Sequence, residues 1–246
     1  MRAEPEAGQT ADHDAERRDQ IARNLTQVHE RIRQACLQAG RPTDEVRLTV
    51  VTKTFPATDV EILAALGCTD VAENRDQEAR EKYAAVGSRN IRWHMIGQLQ
   101  RNKARSVARW AQVIESVDRP EVAQALSIAV QSESRSLEVL IQVSLDPEPH
   151  AGRGGVVPAQ AEALAEACLA LPGLRLSGVM GVAPHPGDPR AAFDLLAAVR
   201  ERLMRVAPGC QQMSAGMSDD LEQAVEAGAT QVRIGGAVLG NRALLK

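Results

Sequence analysis

Residues 47–52 read RLTVVT, a β-branched and apolar run followed directly by Lys53. An apolar run of this length reads as a strand buried on both faces, the kind found in parallel sheets. The pattern repeats on working outward. Upstream, residues 16–39 place Ile21, Leu25, Val28, Ile32, Ala35 and Ala39 on one helical stripe, stopped by Gly40-Arg41-Pro42. Downstream, apolar runs at 69–72, 91–96, 113–116, 139–144, 175–180, 211–213 and 231–234 alternate with helical segments at 59–66, 76–86, 102–110, 120–132, 158–171, 189–206 and 218–227. A short helix follows the last strand, and residues 145–157 form a Gly/Pro-rich loop. Eight strand–helix units after one leading helix predict an α/β fold, a single (β/α)8 TIM-type barrel over residues 15–246. Residues 1–14, rich in charge and small side chains, read as a disordered tail.

Composition narrows the function. A net charge of −3 provides no global field for nucleic acid or an anionic membrane. The five aromatics, Phe55, Tyr83, Trp93, Trp110 and Phe193, are too few and scattered for a base-stacking platform. No apolar run is long enough to span a bilayer, and the first twenty residues lack the apolar segment of a signal peptide. Cys36, Cys68, Cys168 and Cys210 show neither a C-x-x-C pair nor a histidine at metal-ligand spacing. They read as idle thiols in a reducing compartment, so the expected location is cytoplasmic and no metal is expected. Of 29 basic residues, only Lys53, Lys82, Lys103 and Lys246 are lysines, and the other 25 are arginines. Arginine serves most ion-pair roles but cannot form an imine.

In a TIM barrel the chemistry gathers at the C-terminal ends of the strands. Lys53 alone among the lysines sits there; Lys82 and Lys103 fall in helical patterns and Lys246 is the last residue. A desolvated amine at a strand end has its pKa pushed down and is freed to attack an aldehyde. The competing reading pairs Lys53 structurally with Glu73, at the end of the next strand. Ser214-Ala215-Gly216 follows the seventh strand, and Gly235-Gly236-Ala237 follows the eighth and opens a short helix. Loops at these two places commonly bind phosphate through backbone N–H groups; the plainer reading is two glycine turns. A phosphate cradle opposite a strand-end lysine suggests a phosphorylated aldehyde. Arg233 points to the mouth of the barrel near that cradle, or is ion-paired with a carboxylate inside it. His94, within the third strand, either flanks a ligand or is a satisfied core residue. Ser218-Asp219-Asp220 reads as a helix N-terminus, better suited to capping than to catalysis.

The chain resembles the pyridoxal phosphate homeostasis protein family in VVTK at 50–53, ENRDQE at 73–78, WHMIGQLQRNK at 93–103, Ser116-Val117-Asp118, MSDD at 217–220 and VRIG at 232–235 with Gly240. The resemblance implies a barrel like the N-terminal domain of alanine racemase, with pyridoxal 5′-phosphate held as a Schiff base on Lys53. It implies phosphate contacts from Ser214, Gly235 and Gly236, Arg233 facing the pyridine nitrogen, and Asn74 and His94 near the ring. It further implies a monomeric carrier or regulator of the coenzyme, with apo-enzymes that need it as recipients. The chain departs from the family pattern at Arg75, where Tyr is usual, at Ala215 for Met and at Leu239 for Phe. Arg153-Gly154-Gly155 stands where Lys-Ser-Gly is common, which excludes an imine at position 153.

An arginine at the ring nitrogen can only donate, which leaves the pyridine unprotonated and a poor electron sink. A racemase needs acid/base groups on both faces of the substrate. Related racemases are understood to take the second, a tyrosine, from a β-rich domain that this chain, filled by its barrel, leaves no room for. Its single tyrosine, Tyr83, falls in a predicted helix. The expectation is cofactor holding and delivery without fast turnover. The alternatives are a pyridoxal-phosphate-dependent amino-acid racemase and a barrel for some other phosphate ligand.

Overall fold

The computed structural model describes residues 7–87, 90–146 and 154–240. Eight parallel strands close into a barrel in chain order: β1 Arg47–Val51, β2 Asp70–Glu73, β3 Arg92–Met95, β4 Val113–Val117, β5 Leu137–Gln142, β6 Leu174–Met180, β7 Gln212–Ser214 and β8 Gln231–Ile234. Helices α2 Ala57–Ala65, α3 Asp76–Val86, α4 Ala104–Trp110, α5 Pro120–Ser132, α6 Ala161–Leu169, α7 Pro189–Val206, α8 Leu221–Glu226 and α9 Gly236–Leu239 follow them in turn. The TIM-type barrel is therefore observed, and every strand bound lies within two residues of its sequence expectation. The barrel closes by pairing β1 with β8, Thr49 opposite Arg233 and Val50 opposite Ile234.

The leading helix, α1 (Ala7–Gln38), begins inside the stretch read as a tail. No proline lies between Pro5 and Pro42, so none breaks the helix, although Gly8, Thr10 and Asp12 in its first turns are weak helix formers. Residues 1–6 of that tail, and positions 147–153 of the expected Gly/Pro-rich loop with the departure at Arg153, lie outside the described residues. Inward-facing Ile21, Leu25, Val28 and Ile32 seat α1 on the barrel. Three of its polar side chains then reach backbone carbonyls at the open end. Arg17 donates to Leu239 O (3.0 Å), Asn24 to Val238 O (2.8 Å) and Arg31 to Ser218 O (2.6 Å). One helix thus fastens the loops after both β7 and β8.

The barrel interior is divided. On one side Val113, Leu140 and Met180 form a small apolar cluster with Val182 against it. Elsewhere the interior is ionic rather than the branched apolar filling usual for the fold. At the N-terminal end of the strands, Glu138 accepts from Arg92 (2.9 Å), from Gln212 (2.6 Å) and from Arg175. Higher up, His94 lies between two carboxylates, Nε2 2.9 Å from Asp70 Oδ1 and Nδ1 2.7 Å from Glu115 Oε1. Glu115 also accepts from Ser214 Oγ and Gln231 Nε2, both at 2.6 Å, across the barrel.

Candidate functional site

At the C-terminal ends of the strands lies a cavity of about 790 Å³, within the usual range of small-molecule sites. Val51, Lys53 and Phe55 line it from the end of β1, Asn74 from β2, Ile96 and Gly97 from β3, and Met180 and Val182 from β6. Met217, Ser218 and Asp219 enter after β7, with Arg233, Gly235, Gly236 and Gly240 from β8 onward. A second cavity, about 700 Å³, lies between α1 and the N-terminal ends of β1 and β2, lined by His29, Arg47 and Cys68 among others. It gathers none of the expected site residues.

Five of the residues expected from sequence, Lys53, Asn74, Arg233, Gly235 and Gly236, therefore meet in one cavity. His94 and Ser214 do not line it. The imidazole of His94 is 1% exposed and both its nitrogens are engaged by Asp70 and Glu115. Ser214 is fully buried, its hydroxyl donating to Glu115 and accepting from Arg233 Nη1 at 2.6 Å. The structure thus places both residues beneath the cavity rather than on its wall. Their side chains point into the ionic interior, a depth that strand-end counting does not resolve.

Sequence reasoning passed over Ser218, which it assigned to capping. The side chain that organises this turn is instead Asp220, whose Oδ1 accepts from Met217 N at 2.6 Å. Ser218 is left half-buried at the cavity wall. The available signal was its place in MSDD, directly after a loop already marked for anion binding.

Glycines shape the cavity through close backbone approach. A Cβ at Gly97 would stand 2.0 Å from Asn74 O, so β3 lies flat against the Asn74 peptide. A Cβ at Gly235 would stand 3.1 Å from Val51 O, whereas at Gly236 it would meet nothing within 4 Å. The strand-8 loop thus hugs β1 at one residue and leaves open space at the next. Gly97→Ala is expected to push Asn74 from the cavity wall and to cost about 1–3 kcal/mol, as overpacking against rigid backbone does. Denaturant unfolding would check this, and a variant as stable as the parent would contradict it.

Arg233 joins the cavity to the interior network. Its guanidinium donates to Ser214 Oγ and to Gly181 O (2.9 Å), with Glu115 Oε2 3.7 Å away. Burial pulls the Arg233 pKa down from its ordinary value, against the pull of Glu115 and Asp220. Burial also opposes the charge on His94, but its bonds to Asp70 and Glu115 outweigh that and raise its pKa. Burial works against Glu115 and Asp70 too, and the bond each makes to His94 leads the effects that hold both carboxyls low. Asp70, His94, Glu115 and Arg233 form a connected row of titratable groups ending at the cavity.

Glu73, which the sequence offered as a partner for Lys53, bonds Lys82 Nζ (2.7 Å) and Thr52 Oγ1 (2.6 Å). Lys82, which falls in a helical pattern, is 6% exposed. Tyr83 packs edge-on against Trp93, ring centroids 5.7 Å apart, where α3 covers the barrel wall.

A family model described as alanine racemase, N-terminal domain, matches residues 17–243. The pyridoxal phosphate homeostasis protein of Pseudomonas aeruginosa is 43% identical over 223 residues, covering 90% of this chain and 96% of that protein. Its namesake from Mycobacterium bovis is 41% identical over 248 residues, with 93% and 95% covered. The structure of PipY from Synechococcus elongatus with PLP bound is similar at a TM-score of 0.77 and 30% identity, with 89% of this chain and 100% of PipY covered.

Proposed function

The chain belongs to the alanine racemase N-terminal domain family and, within it, to the pyridoxal phosphate homeostasis proteins, and from that premise we propose that it holds pyridoxal 5′-phosphate covalently on Lys53 and serves to store and deliver it. The observation that carries this reading is the convergence of Lys53, Arg233, Ser218 and the Gly235-Gly236 loop on one cavity. When bound, the coenzyme supplies an aldehyde that captures amines and a pyridine ring that draws electrons. Lys53 would hold the coenzyme through its neutral amine, by condensation with the aldehyde and loss of one water. Ser218 and the backbone at Gly235 and Gly236 take the phosphate. Arg233, having donors only, would face the pyridine nitrogen without protonating it and so leave the ring a weak electron sink.

Slow or absent turnover follows from the same residues. The sole tyrosine, Tyr83, is occupied on the outer side of the barrel wall and supplies no acid/base group to the cavity. The protein we propose is thus a cytoplasmic, monomeric carrier, with apo-enzymes as recipients. Addition of pyridoxal 5′-phosphate to purified protein should produce an imine absorbance band that borohydride fixes. Racemisation or deamination of amino acids should stay at the level of the free coenzyme. Turnover at enzyme-like rates would favour the racemase reading, and no band would remove both.

A further inference from the structure

Strand β1 stops at Val51, so Lys53 sits in the turn that follows, beyond the reach of the barrel ladder. A lysine that attaches a ligand needs its stem aimed, and a turn alone aims poorly. The peptides on either side of Lys53 are nevertheless gripped. Lys82 Nζ donates to Thr52 O, to Glu73 Oε1 and to Glu78 Oε1, each at 2.7 Å, so all three ammonium protons have acceptors. Thr52 Oγ1 donates to the same Glu73 oxygen at 2.6 Å. On the far side, Thr54 N–H donates to Glu78 Oε1. Thr54 holds φ at 70°, a left-handed conformation unusual for a β-branched residue and one that persists only where the surroundings impose it. Glu73 is fully buried, and its second oxygen has no hydrogen-bond partner. That arrangement is costly for a cluster serving stability alone.

We infer that Glu73, Lys82 and Glu78 position Lys53, holding the carbonyl before it and the amide after it so that its amine meets the aldehyde at the right angle. This rests on Lys53 being the attachment point. None of the three lines the cavity, so they act through the turn and not on the ligand.

The test separates attachment from binding with two probes: pyridoxal 5′-phosphate, and pyridoxine 5′-phosphate, which has the phosphate and ring but no aldehyde. Glu78→Ala frees the Thr54 amide and leaves the buried Glu73–Lys82 pair intact, so folding is not at stake. Its rate of imine-band appearance should fall by about tenfold or more, a modest share of what misplacement of a reacting group can cost. Its affinity for pyridoxine 5′-phosphate should stay within about twofold, since the binding contacts are untouched. Glu78→Gln keeps an oxygen for both donors and should recover most of the rate. The paired substitution Lys82→Met with Glu73→Gln, if folded, should behave like Glu78→Ala. Attachment at the parental rate in Glu78→Ala would overturn the inference, and so would an equal loss of affinity for both probes. Failure of the unaltered protein to form the band would instead remove the role of Lys53 itself.

Discussion

Lys53→Ala is expected to abolish covalent uptake of pyridoxal 5′-phosphate while leaving the barrel folded. The side chain is half-buried at a turn and faces the cavity, so its removal opens no hole in the core. No other described lysine substitutes for it. The Lys82 ammonium is buried with three acceptors, and Lys103 is exposed on the short turn before α4. Residual binding through the phosphate loops and Arg233 should persist at roughly a hundredfold weaker affinity, about 2.7 kcal/mol. Mass spectrometry after borohydride reduction reads the result directly: an adduct at position 53 in the parent and none in the variant. An adduct of equal yield in Lys53→Ala would place the attachment elsewhere and end this account of the site.

The second large effect is expected at Glu115, which touches no ligand. Glu115→Ala removes the acceptor shared by His94 (2.7 Å), Ser214 and Gln231 (both 2.6 Å), and the counter-charge 3.7 Å from Arg233. Arg233 then loses its counter-charge, and His94 keeps one carboxylate partner, Asp70. Breaking a buried pair from one side costs about 3–5 kcal/mol. For a protein of this size that corresponds to a drop of about 10 °C in Tm. Calorimetry checks it, and a variant melting within about 2 °C of the parent would show that the row contributes little.

The pH dependence has a defined sign. Glu115 and Asp70 are held below their ordinary values of 4.5 and 3.8, so their contribution is complete above those values and is lost as pH falls through the lowered ones. His94 is held above its ordinary 6.5, so its contribution is complete below that and is lost as pH rises through the raised value. The Glu115→Ala variant should show a shallower acid limb than the parent.

The barrel was legible in the sequence because each strand is a short apolar run between helices with clear breakers, such as Gly67 before β2 and Pro120 at the start of α5. Lys53, Asn74, Arg233, Gly235 and Gly236 were legible because strand ends map directly onto the mouth of such a barrel. The depth at which an inward side chain finds its partners was not legible. His94 and Ser214 are completed by Glu115, a residue 21 positions from one and 99 from the other, and no local pattern announces that meeting. The same holds for Lys82, whose acceptor at Thr52 lies 30 positions upstream. Ser218 was passed over for the opposite reason: its local pattern was a good one for capping, whereas the structure leaves it at the cavity wall and gives the turn's side-chain bond to Asp220.

The placement of the lysines has a consequence for self-modification. An aldehyde in excess decorates the exposed amines of a lysine-rich protein indiscriminately. Arginine, which furnishes most of this molecule's cationic surface, does not condense with simple aldehydes. Among the described residues, Lys103 is the one fully exposed amine. The exterior formed by the described residues thus offers pyridoxal 5′-phosphate few amines. An excess of that aldehyde therefore finds little to decorate on the described surface apart from Lys103.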